Sequence, residues 1–178
     1  MYNLADNWVI YLNYKDLGKF YTDNLEKLIE IDTIEKFWQT YNNIPKTYDI
    51  FSDGYSFKKI KRTNATPCGY CFFRNGISPF WEDEKNKDGF EFSFRVTRNF
   101  EKFEKDWLYN LVELIGKDYE NINGIRVVDC TKMQSVMYRM EFWFDGKFSK
   151  ENCEKILTDN FNVGKLIYRS HKNIKEIV

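Results

Sequence analysis

Trp81 stands immediately before three carboxylates, Glu82, Asp83 and Glu84, in the stretch Ile77-Ser-Pro-Phe-Trp-Glu-Asp-Glu-Lys-Asn-Lys-Asp-Gly89. Pro79, Asn86 and Gly89 mark that stretch as a loop. An exposed loop has little use for an indole, and a core strand has little use for Glu-Asp-Glu. Together they offer a flat apolar face beside a hydrogen-bond acceptor, which suits a flat ligand rich in donors. The other reactive side chains say less. Cys68-Gly-Tyr-Cys71 has the spacing of a redox pair or of half a zinc site, but it falls inside a predicted strand and no second pair follows. His171 is the single histidine, so no base is evident for a nucleophilic triad. Adjacent carboxylates do not by themselves acquire the different environments that an acid–base pair needs. There is no Walker-type or Gly-x-Gly-x-x-Gly loop. Binding is therefore expected rather than catalysis, with no cofactor and no metal; a zinc or redox protein organised by Cys68 and Cys71 is the alternative from another class.

The 178 residues fit one domain, here taken as 1–178, large enough to bury a continuous core without disulfides. Lys plus Arg and Asp plus Glu number 27 each, so no global field draws the chain to nucleic acid or to an anionic membrane, and any anion site must be local. Aromatic residues make up 19% of the chain, more than a small core needs, so some rings are expected to face a ligand or a partner. No secretory leader pattern or long apolar run is visible, and the protein is expected to be soluble and cytoplasmic with reduced cysteines.

The elements that must position Trp81 follow from periodicity. Trp8–Tyr14 and Tyr70–Phe73 read as strands, and Phe90-Glu-Phe-Ser-Phe-Arg-Val-Thr97 alternates strictly, as a half-buried strand does. Ile125–Asp129 and Val136–Phe144 predict a hairpin around the polar link 130–135, and Lys165–Tyr168 a last strand. Asp32-Thr-Ile-Glu35 has the form of a capping box, opening a helix with Ile34, Phe37, Trp38 and Tyr41 on one stripe. A second helix runs through Phe100, Phe103, Trp107, Leu111 and Leu114 to a glycine cap at Gly116, and Ser149 caps a third. Residues 45–66 look like an extended loop insertion carrying the basic cluster Lys58-Lys-Ile-Lys-Arg62. Short strands interrupted by three helices predict an α+β fold, with helices on one face of a mostly antiparallel sheet.

Three blocks taken in order, Asp32-Thr-Ile-Glu-Lys-Phe-Trp-Gln-Thr-Tyr-Asn42, Gly76-Ile-Ser-Pro-Phe-Trp-Glu-Asp-Glu-Lys-Asn86 and Trp107-Leu-Tyr-Asn-Leu-Val-Glu-Leu-Ile-Gly116, resemble the translation initiation factor 4E family, which binds the mRNA cap. The resemblance runs from Trp8 to Tyr168-Arg-Ser-His171 and implies a curved sheet cupped like a hand, with three helices on its convex back. It assigns Trp81 to stack on 7-methylguanine and Glu82 to accept hydrogen bonds from the guanine's Watson–Crick edge. Methylation makes the purine cationic, so an indole face attracts it by cation–π contact as well as by stacking. Tyr21, ahead of Asp23-Asn24-Leu25, takes the place of the second stacking ring, with Phe20 as a neighbouring alternative. Most of the family has tryptophan there. Tyrosine is similar to the 4E-homologous repressor branch, so a cap-binding repressor stands as the alternative to an initiation factor that presents capped mRNA to a scaffold.

Where the family places basic residues for the cap's phosphates, this chain has Glu91, Cys130 and Ser135. Strand alternation offers Arg126 and Arg139 as substitutes, and Lys132 on the link between them. Arg139 also falls where the family often has a third tryptophan, with Tyr138 one residue away. On the opposite face the resemblance implies a groove for an amphipathic helix of a 4G-like scaffold factor or of an inhibitory 4E-binding protein, formed by Ile34, Trp38, Leu108 and Val112. The implied ligand is capped mRNA, with 7-methyl-GTP as its minimal form, and no membrane is involved.

Overall fold

The computed structural model describes residues 1–15, 20–56, 65–132 and 135–172, with the Tyr21 side chain left out. The cluster at 58–62 lies outside the described residues. Seven strands form one open, curved sheet: β1 Asn3–Tyr14, β2 Leu25–Thr33, β3 Pro67–Arg74, β4 Phe90–Thr97, β5 Ile122–Asp129, β6 Met137–Phe144 and β7 Ile167–Ser170. Their order across the sheet is β2-β1-β3-β5-β6-β4-β7, and every pairing is antiparallel. The helices are α1 Ile34–Asn43, the single turn α2 Thr47–Ile50, α3 Phe100–Gly116 and α4 Lys150–Asn160.

Alternation along the strands divides the molecule into two faces. On β3, Tyr70 and Phe72 enter the main core, while Cys71 and Phe73 enter a smaller cluster with Ile77 and Trp143. On β6, Tyr138, Met140, Phe142 and Phe144 take the main-core side. The helices supply the rest of that core: Phe37 and Tyr41 from α1, Phe103, Trp107, Leu111 and Leu114 from α3, Cys153 and Leu157 from α4. Trp8 anchors the middle, stacked on Phe72 with centroids 5.1 Å apart and the Arg74 guanidinium 5.0 Å from its ring.

Several expectations need correction. The capping box does not form on Asp32. Because β2 runs on to Thr33, the Thr33 hydroxyl caps α1 by accepting from Lys36 N at 3.3 Å, and Glu35 instead accepts from the Tyr2 amide. Gly116 is the last residue of α3, and its backbone is not among the left-handed ones. Residues 45–56 are not a detached loop. Ile50 and Phe51 are buried, Thr47 N and Oγ1 both donate to Glu104 Oε2, and Tyr138 Oη donates to Ser52 O at 2.6 Å. Strand β4 alternates as expected, yet its polar side is also covered: Glu91 and Ser93 are buried with Phe90 and Phe92. Strand β2 shows no strand period in the sequence because Glu26, Lys27, Glu30 and Asp32 break its apolar pattern, as charges on an edge strand commonly do.

Candidate ligand site around the Trp81 loop

The loop between β3 and β4 is organised by its own polar groups. Buried Asn86 donates through Nδ2 to Ser78 O and Phe80 O, each at 2.8 Å, and its Oδ1 accepts from Asn123 Nδ2. Fully buried His171 sits against it, donating from Nδ1 to Asn86 O at 2.7 Å. Gly89 returns the chain to β4 where nothing larger fits, since a Cβ there would lie 2.1 Å from Phe144 O.

These bonds sort the three carboxylates. Asp83 accepts from the amides of Ser78 and Lys85, holding the turn shut. Glu84 pairs with Lys87 at 2.6 Å. Glu82 is exposed and makes no hydrogen bond or ion pair among the described residues. It lines a cleft of about 540 Å³ with Phe20, Thr22, Ser78, Phe80 and Asp83. Phe20 projects into solvent, 71% exposed, beside the short 3-10 turn Tyr21–Asn24. Of the three, the loop thus leaves the Glu82 carboxylate unengaged among the described residues, in a cleft shared with Phe20 and Thr22 on either side of Tyr21.

Trp81 is half-buried against the Cys71, Phe73, Ile77 and Trp143 cluster and opens onto a second cavity, of about 160 Å³. Its lining brings together Arg126, Arg139, Glu141, Glu91, Trp143 and Arg169. Register explains the grouping: Arg126 pairs with Glu141 across β5 and β6, Trp143 with Glu91 across β6 and β4, and Glu91 with Arg169 across β4 and β7. Glu141, 1% exposed, lies 2.5 Å from Arg139 Nη2 and 3.3 Å from Arg126 Nε, and accepts from Trp143 Nε1 at 2.9 Å. Burial alone would push its carboxyl up, but the two guanidiniums and the indole N–H hold it below the usual carboxylate range. Burial likewise works against the Arg139 charge, and the Glu141 carboxylate outweighs it, so the guanidinium is raised.

Two of the three expected basic residues, Arg126 and Arg139, therefore meet beside Trp81. Lys132 does not join them. It is exposed on the hairpin link, bridged to Ser135, and lines no part of this cavity. Of the two residues at the position of the family's third tryptophan, Tyr138 turns into the main core and Arg139 lines the cavity, where Trp143 is a second indole beside Trp81. Sequence reading misses Arg169 and Glu141, reads Asn86 only as a loop marker, and names His171 with Lys172 only as a fallback place for an anion. A buried acidic residue inside the aromatic strand Met137–Phe144 was the available signal for Glu141.

The Cys68 and Cys71 thiols are both buried, and desolvation pushes them up to about 11 and about 12. Neither presents the exposed, low-pKa thiolate that redox chemistry uses. A roomier cleft of about 940 Å³ lies elsewhere, between α1 and the β1–β2 edge, and none of the loop's side chains reaches it.

On the helical face Ile34, Trp38 and Val112 are each close to 40% exposed, and Leu108 is half-buried. The α1 stripe therefore splits. Phe37 and Tyr41 turn inward, while Trp38 touches them only edge-on, with centroids 5.2 and 6.4 Å away.

The family model for Eukaryotic initiation factor 4E matches residues 3–176. The chain belongs to the initiation factor 4E family. Among its relatives, initiation factor 4E-1B of Danio rerio is 26% identical over 155 residues, 86% of this chain and 64% of that protein. The initiation factor 4E of Homo sapiens is 29% identical over 120 residues, 66% of this chain and 49% of that protein. This 4E-family chain thus spans between about half and two thirds of the length of such curated relatives. Solved structures share its fold. Ascaris suum eIF4E-3 in complex with an m7G cap superposes with a TM-score of 0.76 at 22% identity, covering 96% of this chain and 91% of that one. C. elegans eIF4E-3 with the 4E-binding protein Mextli and a cap analog gives 0.75 at 21% identity, covering 98% and 95%.

Proposed function

We propose that the protein binds the 7-methylguanosine cap of mRNA in translation initiation and presents it to a helical partner, as a cytoplasmic binding factor rather than an enzyme. One observation carries the reading: the 77–89 loop commits Asp83 and Glu84 to internal contacts and leaves Glu82 without a partner, next to a half-exposed Trp81. In this reading Trp81 stacks on the methylated base with Tyr21 opposite, and Glu82 accepts the two donors that guanine presents together. Adenine would leave that carboxylate badly paired. Arg126 and Arg139 meet the cap's phosphates, and Ile34, Trp38, Leu108 and Val112 receive an amphipathic helix. Relatives solved with a cap analog and with 4E-binding proteins support both halves of the reading.

The test is a tryptophan-fluorescence titration with 7-methyl-GTP against GTP. Preference for the methylated nucleotide is expected; equal binding removes the cap from consideration. Among the described residues no helix is long and apolar enough to cross a membrane.

A further inference from the structure

We infer that Arg169 is a phosphate contact of this pocket, held in reserve by Glu91, and that the pocket reads a single phosphate charge rather than the whole triphosphate. The inference rests on the cap reading above and concerns how its anion end is built.

Three guanidiniums and two carboxylates line the cavity beside Trp81, so its formal charge is one positive unit rather than three. The three arginines are not equally available. Arg139 is held 2.5 Å from Glu141 with its side chain 20% exposed, and Arg126 is 14% exposed beside the same carboxylate. Arg169 is 49% exposed, and its Nη1 lies 3.8 Å from Glu91 Oε1, outside hydrogen-bonding distance. An ion pair of that exposure and length contributes little, so turning Arg169 toward another anion sacrifices little. Glu91 itself cannot follow, because it is 4% exposed and lies between Arg169 and His171 Nε2, which is 3.8 Å from Oε2. His171 is itself tied down, its Nδ1 donating to Asn86 O. A second observation points to an incoming acceptor. Arg139 Nε is buried without a hydrogen-bond partner among the described residues. A phosphate oxygen entering beside Trp81 would supply that acceptor and draw Arg169 off Glu91, forming charge-assisted bonds shorter than the pair it replaces. One such group satisfies the single excess positive charge. Further phosphates then meet Glu91 and Glu141 as well as the arginines, so they add little affinity.

The test compares 7-methylguanosine, 7-methyl-GMP, 7-methyl-GTP and GTP on wild type, Arg169→Gln, Arg169→Lys and Glu91→Gln. Wild type should gain strongly from nucleoside to monophosphate and less than about threefold from monophosphate to triphosphate. Arg169→Gln should cut the monophosphate-to-nucleoside affinity ratio about tenfold, the scale of one charge-assisted bond, and Arg169→Lys should restore part of it. Glu91→Gln should raise the triphosphate affinity, since it removes a competing negative charge. An unchanged ratio in Arg169→Gln, or a large further gain from monophosphate to triphosphate in wild type, overturns the inference while leaving the cap reading standing. Equal binding of 7-methyl-GTP and GTP by wild type overturns both.

Discussion

Glu141→Gln should destabilise the protein while tightening its hold on anions. The substitution keeps the side chain's shape, and the amide oxygen can still accept from Trp143 Nε1. It removes the carboxylate that lies between Arg126 and Arg139 at a site that is 1% exposed. Breaking a buried pair by removing one partner costs roughly 3 to 5 kcal/mol. Both guanidiniums keep a solvent-facing edge, at 14% and 20% exposure, so the lower figure applies. In a chain of this length about 3 kcal/mol lowers Tm by roughly 6 to 12 °C. The pH dependence has a definite sign. The folded Glu141 carboxyl titrates below its ordinary value, so its stabilisation is complete above the unfolded glutamate range near about 4.3 and is lost as pH falls through the folded value. Thermal unfolding by circular dichroism, stepped from pH 7 to pH 3, should show a gap between wild type and variant that narrows with acid. The same variant should bind 7-methyl-GTP more tightly relative to 7-methylguanosine, because a negative charge beside both arginines is gone. A gap that is absent at pH 7, or constant across the acid range, refutes the claim that this carboxylate is ionised and paired.

Trp81→Ala should weaken 7-methyl-GTP by about 1 to 3 kcal/mol, roughly 5- to 150-fold, in an isothermal titration, since a stacked base contributes on that scale. Trp38→Ala should abolish capture of an amphipathic helical peptide, an anchor of this kind supplying about 2 kcal/mol or more, while nucleotide affinity holds; loss of both in a folded variant would contradict the separation of the two faces. Asn86→Ala removes the two bonds to Ser78 O and Phe80 O and the acceptor for Asn123. At about 0.5 to 1.5 kcal/mol each it should lower stability by about 1.5 to 4.5 kcal/mol in urea unfolding and weaken 7-methyl-GTP through the loosened loop.

Local pattern carried much of this protein. The alternation of Phe90, Phe92 and Phe94, the spacing of Phe103, Trp107, Leu111 and Leu114, and the Ser149 cap each depend on residues within a turn or two of one another, and each appears in the fold. Trp81 stood out as a candidate for the same reason, because an indole beside three carboxylates in a loop is anomalous on its own terms, whereas Glu82 was singled out among the three only by the family resemblance. Of the second cavity, strand alternation offered Arg126 and Arg139, but not the carboxylates and the third arginine that surround them. Arg126, Glu141, Glu91 and Arg169 come from four strands, and only the order β5-β6-β4-β7 brings them together on one face, in two neighbouring register rows. A strand's sequence states which side chains share a face, but not which strand lies beside it or in what register. That choice belongs to the packing of the whole sheet, and it replaced Lys132 with Arg169 and gave Arg126 and Arg139 a common buried carboxylate.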